Sequence, residues 1–341
     1  MTERPPRRPL LVLVGPTAVG KTALSLHLAR RFAGEIISAD SRLFYRGLDI
    51  GTAKPTAAER ALVPHHLIDL CAPDETLSLG EYQRLAYRAI DDVLARGRLP
   101  ILAGGTGQYM MAVVEGWGIP AVAPWPALRA ALEGLGKAEA ARWLAALDPV
   151  AAGRIDRRNA RRVVRALEVT LATGRRISDL QRKTPPPYDV AMVGLRRGRE
   201  SLYARIDARV DEMMAAGLLD EVRRLRAAGY GPALPSMSGL GYRQLLAHLD
   251  GQMSLEEAIE RIKFETHRFA RQQATWFRAD DPRITWLDLD ATPDPAGEVT
   301  DYVAGWLGEA QRSRGAEEQG RERSPTTDDR PQTSNHRPLT Y

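Results

Sequence analysis

Short apolar runs punctuate the first third of the chain: LLVLV at 10–14, EIISA at 35–39 and LPILA at 99–103. Runs this short, rich in branched side chains and bounded by Gly or Asp, predict strands buried on both faces. Between them, 22–32 and 80–96 carry apolar residues at helical spacing, and 191–195 and 284–289 supply two more β-prone runs. Strands alternating with helices of ten or more residues predict an α/β fold, a parallel sheet with helices on both faces.

The pattern changes between about 118 and 187. That stretch has several helix-like windows, many Ala and Arg residues and no convincing strand, and Pro185-Pro186-Pro187 closes it. It reads as an all-helical insertion in the α/β core. From 199 to about 277 the chain is again helical in pattern. After 307 it turns to Gln, Arg, Glu, Ser, Thr and Pro with few apolar residues, too few to offset the entropy of ordering. The expected organisation is therefore core at 1–117, insertion at 118–190, core with C-terminal helices at 191–308 and a disordered tail at 309–341. No internal repeat is present.

Composition narrows the function classes. With 341 residues the chain is long enough for about two domains. The single cysteine, Cys71, excludes a disulfide framework and a Cys-based zinc site, and it reads as an inert thiol. No run approaches the ~18 apolar residues of a membrane span, and the basic N-terminus leads straight into a strand, so a cytoplasmic protein is expected, and a monomer is taken as the starting expectation with oligomeric state open. Lys plus Arg number 48 against 43 Asp plus Glu. The excess is concentrated: 151–200 holds 13 Lys and Arg against 5 Asp and Glu, which points to a polyanionic partner. Arg154, Arg158, Arg161, Arg162 and Arg165 recur at spacings of three and four, as a basic stripe on one helix face would.

The strongest chemical signal is Gly15-Pro16-Thr17-Ala18-Val19-Gly20-Lys21-Thr22, which fits G-x-x-x-x-G-K-[ST] between a strand and a helix. Its glycines let backbone N–H groups turn inward around an anion, and the helix N-terminus adds partial positive charge. Lys21 is placed to reach phosphate oxygens, and the Thr22 hydroxyl suits a Mg²⁺ ion. The loop thus predicts a di- or triphosphate ligand. Phosphate-cleaving enzymes with this loop also use an acid after an apolar strand. Here 99–103 ends in Gly104-Gly105-Thr106-Gly107, and the nearest strand-end acid is Asp40. Asp40 would share the sheet edge with the loop as metal partner or general base, or merely form a turn.

At Asp40 a resemblance appears. Ser38-Ala39-Asp40-Ser41, followed by Tyr45-Arg46-Gly47-Leu48-Asp49-Ile50-Gly51-Thr52-Ala53-Lys54-Pro55, resembles the bacterial tRNA dimethylallyltransferases. Pro64-His65-His66-Leu67-Ile68-Asp69, Gly104-Gly105-Thr106-Gly107, Arg165-Ala166-Leu167-Glu168-Val169, Gly241-Tyr242-Arg243-Gln244 and Thr275-Trp276-Phe277 are further landmarks, in the right order from about 10 to 278. The resemblance implies a core like that of the P-loop NTPases and the transfer of a five-carbon group from dimethylallyl diphosphate to N6 of the adenosine immediately 3′ of a tRNA anticodon. The tRNAs concerned are those reading codons that begin with U. It also implies that the loop holds an isoprenoid diphosphate rather than ATP.

Roles follow from the resemblance. Asp40 accepts the amine proton, Thr17 lies at the reacting diphosphate, and Arg209, with Arg205 second, stabilises the leaving group beside Lys21, Thr22 and Mg²⁺. The anticodon stem-loop is expected against Asp40, Ser41, Arg42, Leu43, Thr106, Arg161, Arg162, Val163, Val164, Arg165, Tyr242, Arg243 and Arg271. Trp276 and Phe277 read as core, and His65 and His66 as structural rather than metal-ligating. The chain departs from the family at Leu43 (commonly Gln), Gln108 (Leu), Ser238-Gly239 (Arg-Cys) and Arg271-Gln272-Gln273 (Lys-Arg-Gln). Three other readings stand beside this one: a small-molecule kinase, an RNA-binding NTPase and a prenyltransferase acting on free adenine nucleotides. The last has no use for an Arg-rich insertion.

Overall fold

Each of the five apolar runs forms a strand in the computed structural model, which describes residues 8–322. β1 (Arg8–Val14) leads through the phosphate loop into α1 (Lys21–Arg31), and β2 (Gly34–Ser38) follows. After α2 (Ala57–Leu62) comes a two-residue strand that the sequence pattern does not signal, β3 (His65–His66). α3 (Leu79–Ala95) begins at a capping box, with Ser78 and Glu81 satisfying each other's backbone N–H groups. β4 (Leu99–Ala103) then gives way to α4 (Gly107–Val114).

The chain next leaves the core as α5 (Pro126–Gly134), α6 (Lys137–Leu147), α7 (Pro149–Arg154), α8 (Ala160–Thr173) and α9 (Ile177–Leu180). It returns as β5 (Tyr188–Arg196), so the sheet resumes at Tyr188 rather than at 191. α10 (Arg199–Ala215), α11 (Leu218–Ala227), α12 (Tyr242–Leu249) and α13 (Leu255–Gln273) follow, then β6 (Ile284–Asp288) and α14 (Pro295–Glu322). The tail expected to be disordered from 309 is thus helical to Glu322, and its remainder lies outside the described residues.

All six strands are parallel, in the order β3-β2-β4-β1-β5-β6. β1 is central, and its alternation divides the core. Leu10, Val12 and Val14 pack with Ile37, Leu102 and the α3–α4 side, while Leu11 and Leu13 pack with Leu24, Leu28, Ile206 and Val303 on the other. A third apolar cluster joins α11, α12 and α13 to Tyr45 and Leu48 of the loop after β2. The insertion has its own core, built from Leu132, Leu144, Val163, Val164 and Leu167.

This topology sets three loops side by side. The C-terminal ends of β1, β4 and β2 are neighbours, so the phosphate loop, Gly104–Thr106 and Asp40 crowd one edge of the sheet, where open α/β sheets bind ligands.

Candidate active site

The phosphate loop has the backbone its motif demands. Gly15 sits at φ 145°, and a Cβ there would stand 2.7 Å from the Leu195 carbonyl oxygen. Lys21 Nζ donates to the Gly15 and Pro16 carbonyls at 2.8 and 2.7 Å. Its burial, partly countered by the charge of Asp40 and reinforced by that of Arg209, brings the ammonium down to about 8. An arriving anion would favour the charged form.

Two groups frame Thr17. Arg209, on α10, donates to Thr17 Oγ1 at 3.2 Å, and Arg205, one turn earlier, donates to the Ala18 carbonyl at 3.0 Å. Burial lowers Arg209, and Asp40 opposes that shift, so Lys21, Arg209 and Asp40 act within one electrostatic group. The Thr22 hydroxyl lies exposed in the first turn of α1.

Asp40 is half-buried just past β2. Its Oδ1 accepts the Arg42 N–H at 2.9 Å and closes the turn. Oδ2 faces Gly105, 3.9 Å from where a Cβ on that glycine would stand. Asp40 therefore forms the turn with one oxygen and presents the other to a cleft of about 750 Å³. Thr17, Ala18, Thr106, Arg209, Arg243 and Gln273 also line that cleft.

The expected RNA-contacting residues divide into groups. Asp40, Ser41, Arg42, Thr106, Tyr242 and Arg243 share the cleft. Within it, Arg42 is committed to the Pro235 carbonyl at 2.8 Å, and Tyr242 is 1% exposed with its hydroxyl donating to Glu221 at 2.7 Å. These two shape the wall more than they offer free groups. Leu43 is half-buried in the turn, donating its N–H to the Asp40 carbonyl at 3.2 Å. Arg271 opens on a separate, largely apolar cavity of about 620 Å³ on the other side of Gly15 and Pro16, where it lies over the Tyr203 ring.

The insertion brings corrections. Val163 and Val164 are 1% and 4% exposed and belong to its core, so they cannot touch RNA with their side chains. The expected stripe is interrupted: Arg154 ends α7, Arg158 lies in the turn paired with Asp156, and only Arg161, Arg162 and Arg165 are on α8. Arg165 is held by the fully buried Glu168 at 2.5 Å and by the Val122 carbonyl, which leaves Arg161 and Arg162 as the exposed cations of that helix.

Other expectations also resolve. His66 pairs with Glu35 at 2.6 Å and the His65 ring with the Val63 carbonyl at 2.8 Å, both structural partners. Phe277 is core, but Trp276 is 40% exposed and lines the cleft, its ring covering Gly107 where a Cβ would lie 2.3 Å away. Two participants escaped the sequence reading. Glu221 accepts the N–H groups of Asp49, Ile50 and Gly51 and so clasps the loop after Asp40. Gln273 bridges Thr17 to Gly105. Its one sequence signal is the Gln kept in Arg271-Gln272-Gln273.

Comparison with known proteins shows which family the chain resembles. A model of the IPP transferase family matches residues 43–280. A tRNA dimethylallyltransferase of Roseiflexus sp. (strain RS-1) is 55% identical over 303 residues, covering 88% of this chain and 99% of its own. One from Thermomicrobium roseum is 53% identical over 287 residues, with 83% and 87% covered. Among solved structures, a tRNA isopentenylpyrophosphate transferase from Bacillus halodurans superposes with a TM-score of 0.69 at 41% identity, over 91% of this chain and 100% of that one. A eukaryotic dimethylallyltransferase described as acting on tRNA gives 0.76 at 27% identity, over 87% and 80%.

Proposed function

The chain belongs to the IPP transferase family, and we propose that its cleft moves a dimethylallyl group from dimethylallyl diphosphate to N6 of the adenosine immediately 3′ of the anticodon, in tRNAs reading codons that begin with U, with release of diphosphate. The enzyme is a tRNA-modifying prenyltransferase. The observation that carries the assignment of parts is that Asp40 stands in one electrostatic group with Lys21 and Arg209, across a single cleft from Thr17.

An exocyclic adenine amine is a weak nucleophile because its lone pair is shared with the ring. Asp40 Oδ2 takes its proton as the new C–N bond forms, a contribution of roughly 10²–10⁴-fold. The allylic C–O bond breaks as that bond forms, and the negative charge growing on the departing diphosphate meets Lys21, Arg209 and the loop N–H groups. The apolar cavity beside Gly15 and Pro16, floored by Leu195, Leu202 and Phe277, has the chemistry to receive an isoprenoid. An adenine in an anticodon loop unstacks at a cost of a few kcal/mol, which brings N6 within reach of a recessed base.

Mg²⁺ fits the donor set. Among the described residues no group of three His, Cys, Asp or Glu side chains would cage a metal, and the exposed Thr22 hydroxyl, in the first turn of α1, would be the one protein ligand to an ion otherwise held by diphosphate and water. Bound there, the ion would neutralise leaving-group charge. A kinase is not favoured, because β4 is followed by Gly104 and Gly105 without the acid that nucleotide hydrolysis uses.

The test supplies labelled dimethylallyl diphosphate, Mg²⁺ and unmodified tRNA, with ATP hydrolysis followed in parallel. Label entering tRNA without ATP is the expected result. ATP turnover without label in tRNA would overturn the proposal.

A further inference from the structure

The diphosphate loop and the base grow from different strands, β1 and β2, with β4 between them. The strands fix the roots of these loops, but Thr17, Asp40 and Gly105 stand on loop tips past the last strand residues, Val14, Ser38 and Ala103. Something must hold the tips at a set separation, because transfer needs the amine, the allylic carbon and the leaving oxygen near one line.

Gln273, the last residue of α13, spans that gap. Its Oε1 accepts the Thr17 N–H at 2.8 Å and its Nε2 donates to the Gly105 carbonyl at 2.8 Å. The side chain is 5% exposed, and a Cβ on Gly105 would lie 2.5 Å from Nε2, so the amide is tightly seated. From Gly105 the connection continues. The Thr106 N–H donates to the Ala39 carbonyl at 3.2 Å, and Thr106 Oγ1 accepts the Ser41 N–H at 3.3 Å. Those two residues flank Asp40. A path of directional bonds therefore runs from Thr17, which also receives Arg209, through Gln273 to the residues on either side of the base.

We propose that Gln273 is a positioning residue that sets the distance between the leaving group and the general base. The proposal rests on the reading that the loop holds diphosphate and Asp40 takes the proton. An amide suits the place because it donates on one side, accepts on the other and brings no charge. A carboxylate would keep the bond to Thr17, lose the one to Gly105 and set a negative charge against a loop that must receive diphosphate.

Gln273→Met preserves length and volume while removing both bonds. Its single-turnover transfer rate should fall about 10–100-fold with affinities for tRNA and inorganic diphosphate within about threefold of the parent. Gln273→Glu should lose rate likewise and in addition bind inorganic diphosphate about tenfold or more weakly. In an Asp40→Asn background, Gln273→Met should cost less than about threefold, because the geometry it holds no longer serves a base. A parent-like rate for Gln273→Met, or the same fold loss in both backgrounds, overturns the proposal. Should Gln273→Met melt well below the parent, Gln273→Glu, which keeps the bond to Thr17, decides by whether its rate falls beyond its loss of diphosphate affinity. Failure of the underlying reading looks different: Asp40→Asn alone would then turn over at the parent rate.

Discussion

In the proposed mechanism Asp40 divides its work between two oxygens, and substitutions separate them. Asp40→Asn keeps an acceptor for the Arg42 N–H but cannot take a proton, so turnover should fall about 10²–10⁴-fold while tRNA affinity stays near the parent value. Asp40→Ala also loosens the turn, and single-turnover rates with filter-binding affinities on both variants distinguish chemistry from docking. Lys21 offers a pH signature. Its ammonium, lowered to about 8 by burial, loses charge in the free enzyme as pH rises through that value, whereas bound diphosphate restores it. Inorganic diphosphate should therefore bind more weakly above pH 8 than below, with proton uptake on binding, read by calorimetry in buffers of different ionisation enthalpy. The loop and Asp40 were legible from sequence because each lies in one continuous motif. Gln273 and Glu221 were not, since their partners lie 256 and about 170 residues away and only the folded sheet edge brings them together.

At the scale of elements, α8 shows two kinds of arginine on one helix. Arg161→Ala and Arg162→Ala, on the exposed face, should each weaken tRNA binding and reduce its salt slope by about one counterion, without moving the melting midpoint. Arg165→Ala should act on stability instead. It leaves the fully buried Glu168 with Arg129 and the Trp125 N–H alone, a loss of about 1–3 kcal/mol that urea unfolding reads. Burial by itself would raise Glu168, but the bonds from Arg129, Trp125 and Arg165 outweigh it and hold the carboxyl at about 2. A depressed carboxylate stabilises the fold above its unfolded value near 4.5 and loses that contribution as pH falls toward 2. The insertion should therefore soften between those limits, and Glu168→Gln should flatten the acid limb. Spacing revealed that this region is basic and helical. It did not reveal the break at 155–159, because a turn between two short helices preserves the three-and-four rhythm of the arginines.

At the scale of the whole molecule, the insertion hangs from a narrow neck. The Gly118 N–H donates to the Arg182 carbonyl at 2.6 Å and the Thr184 N–H to the Gly116 carbonyl at 2.8 Å, so the chain leaves and re-enters the core as a paired ribbon. Gly116, at φ 61°, is required there: a Cβ would stand 1.8 Å from the Thr184 carbonyl oxygen. The insertion has an apolar core of its own, and the sheet, the phosphate loop, Asp40 and Gln273 all lie outside it. Replacing 119–181 by a short Gly-Ser turn across the neck should leave a folded core that binds inorganic diphosphate within a few-fold of the parent, since no loop ligand is removed. The excised cations include Arg161 and Arg162, so tRNA affinity should drop by one or more orders of magnitude, most at low salt. Calorimetry with diphosphate and filter binding with tRNA on the same preparation check both halves. If tRNA affinity survived the excision, the cleft around Arg243 and Trp276 would hold the anticodon arm alone, and the basic excess of the insertion would need a different anion.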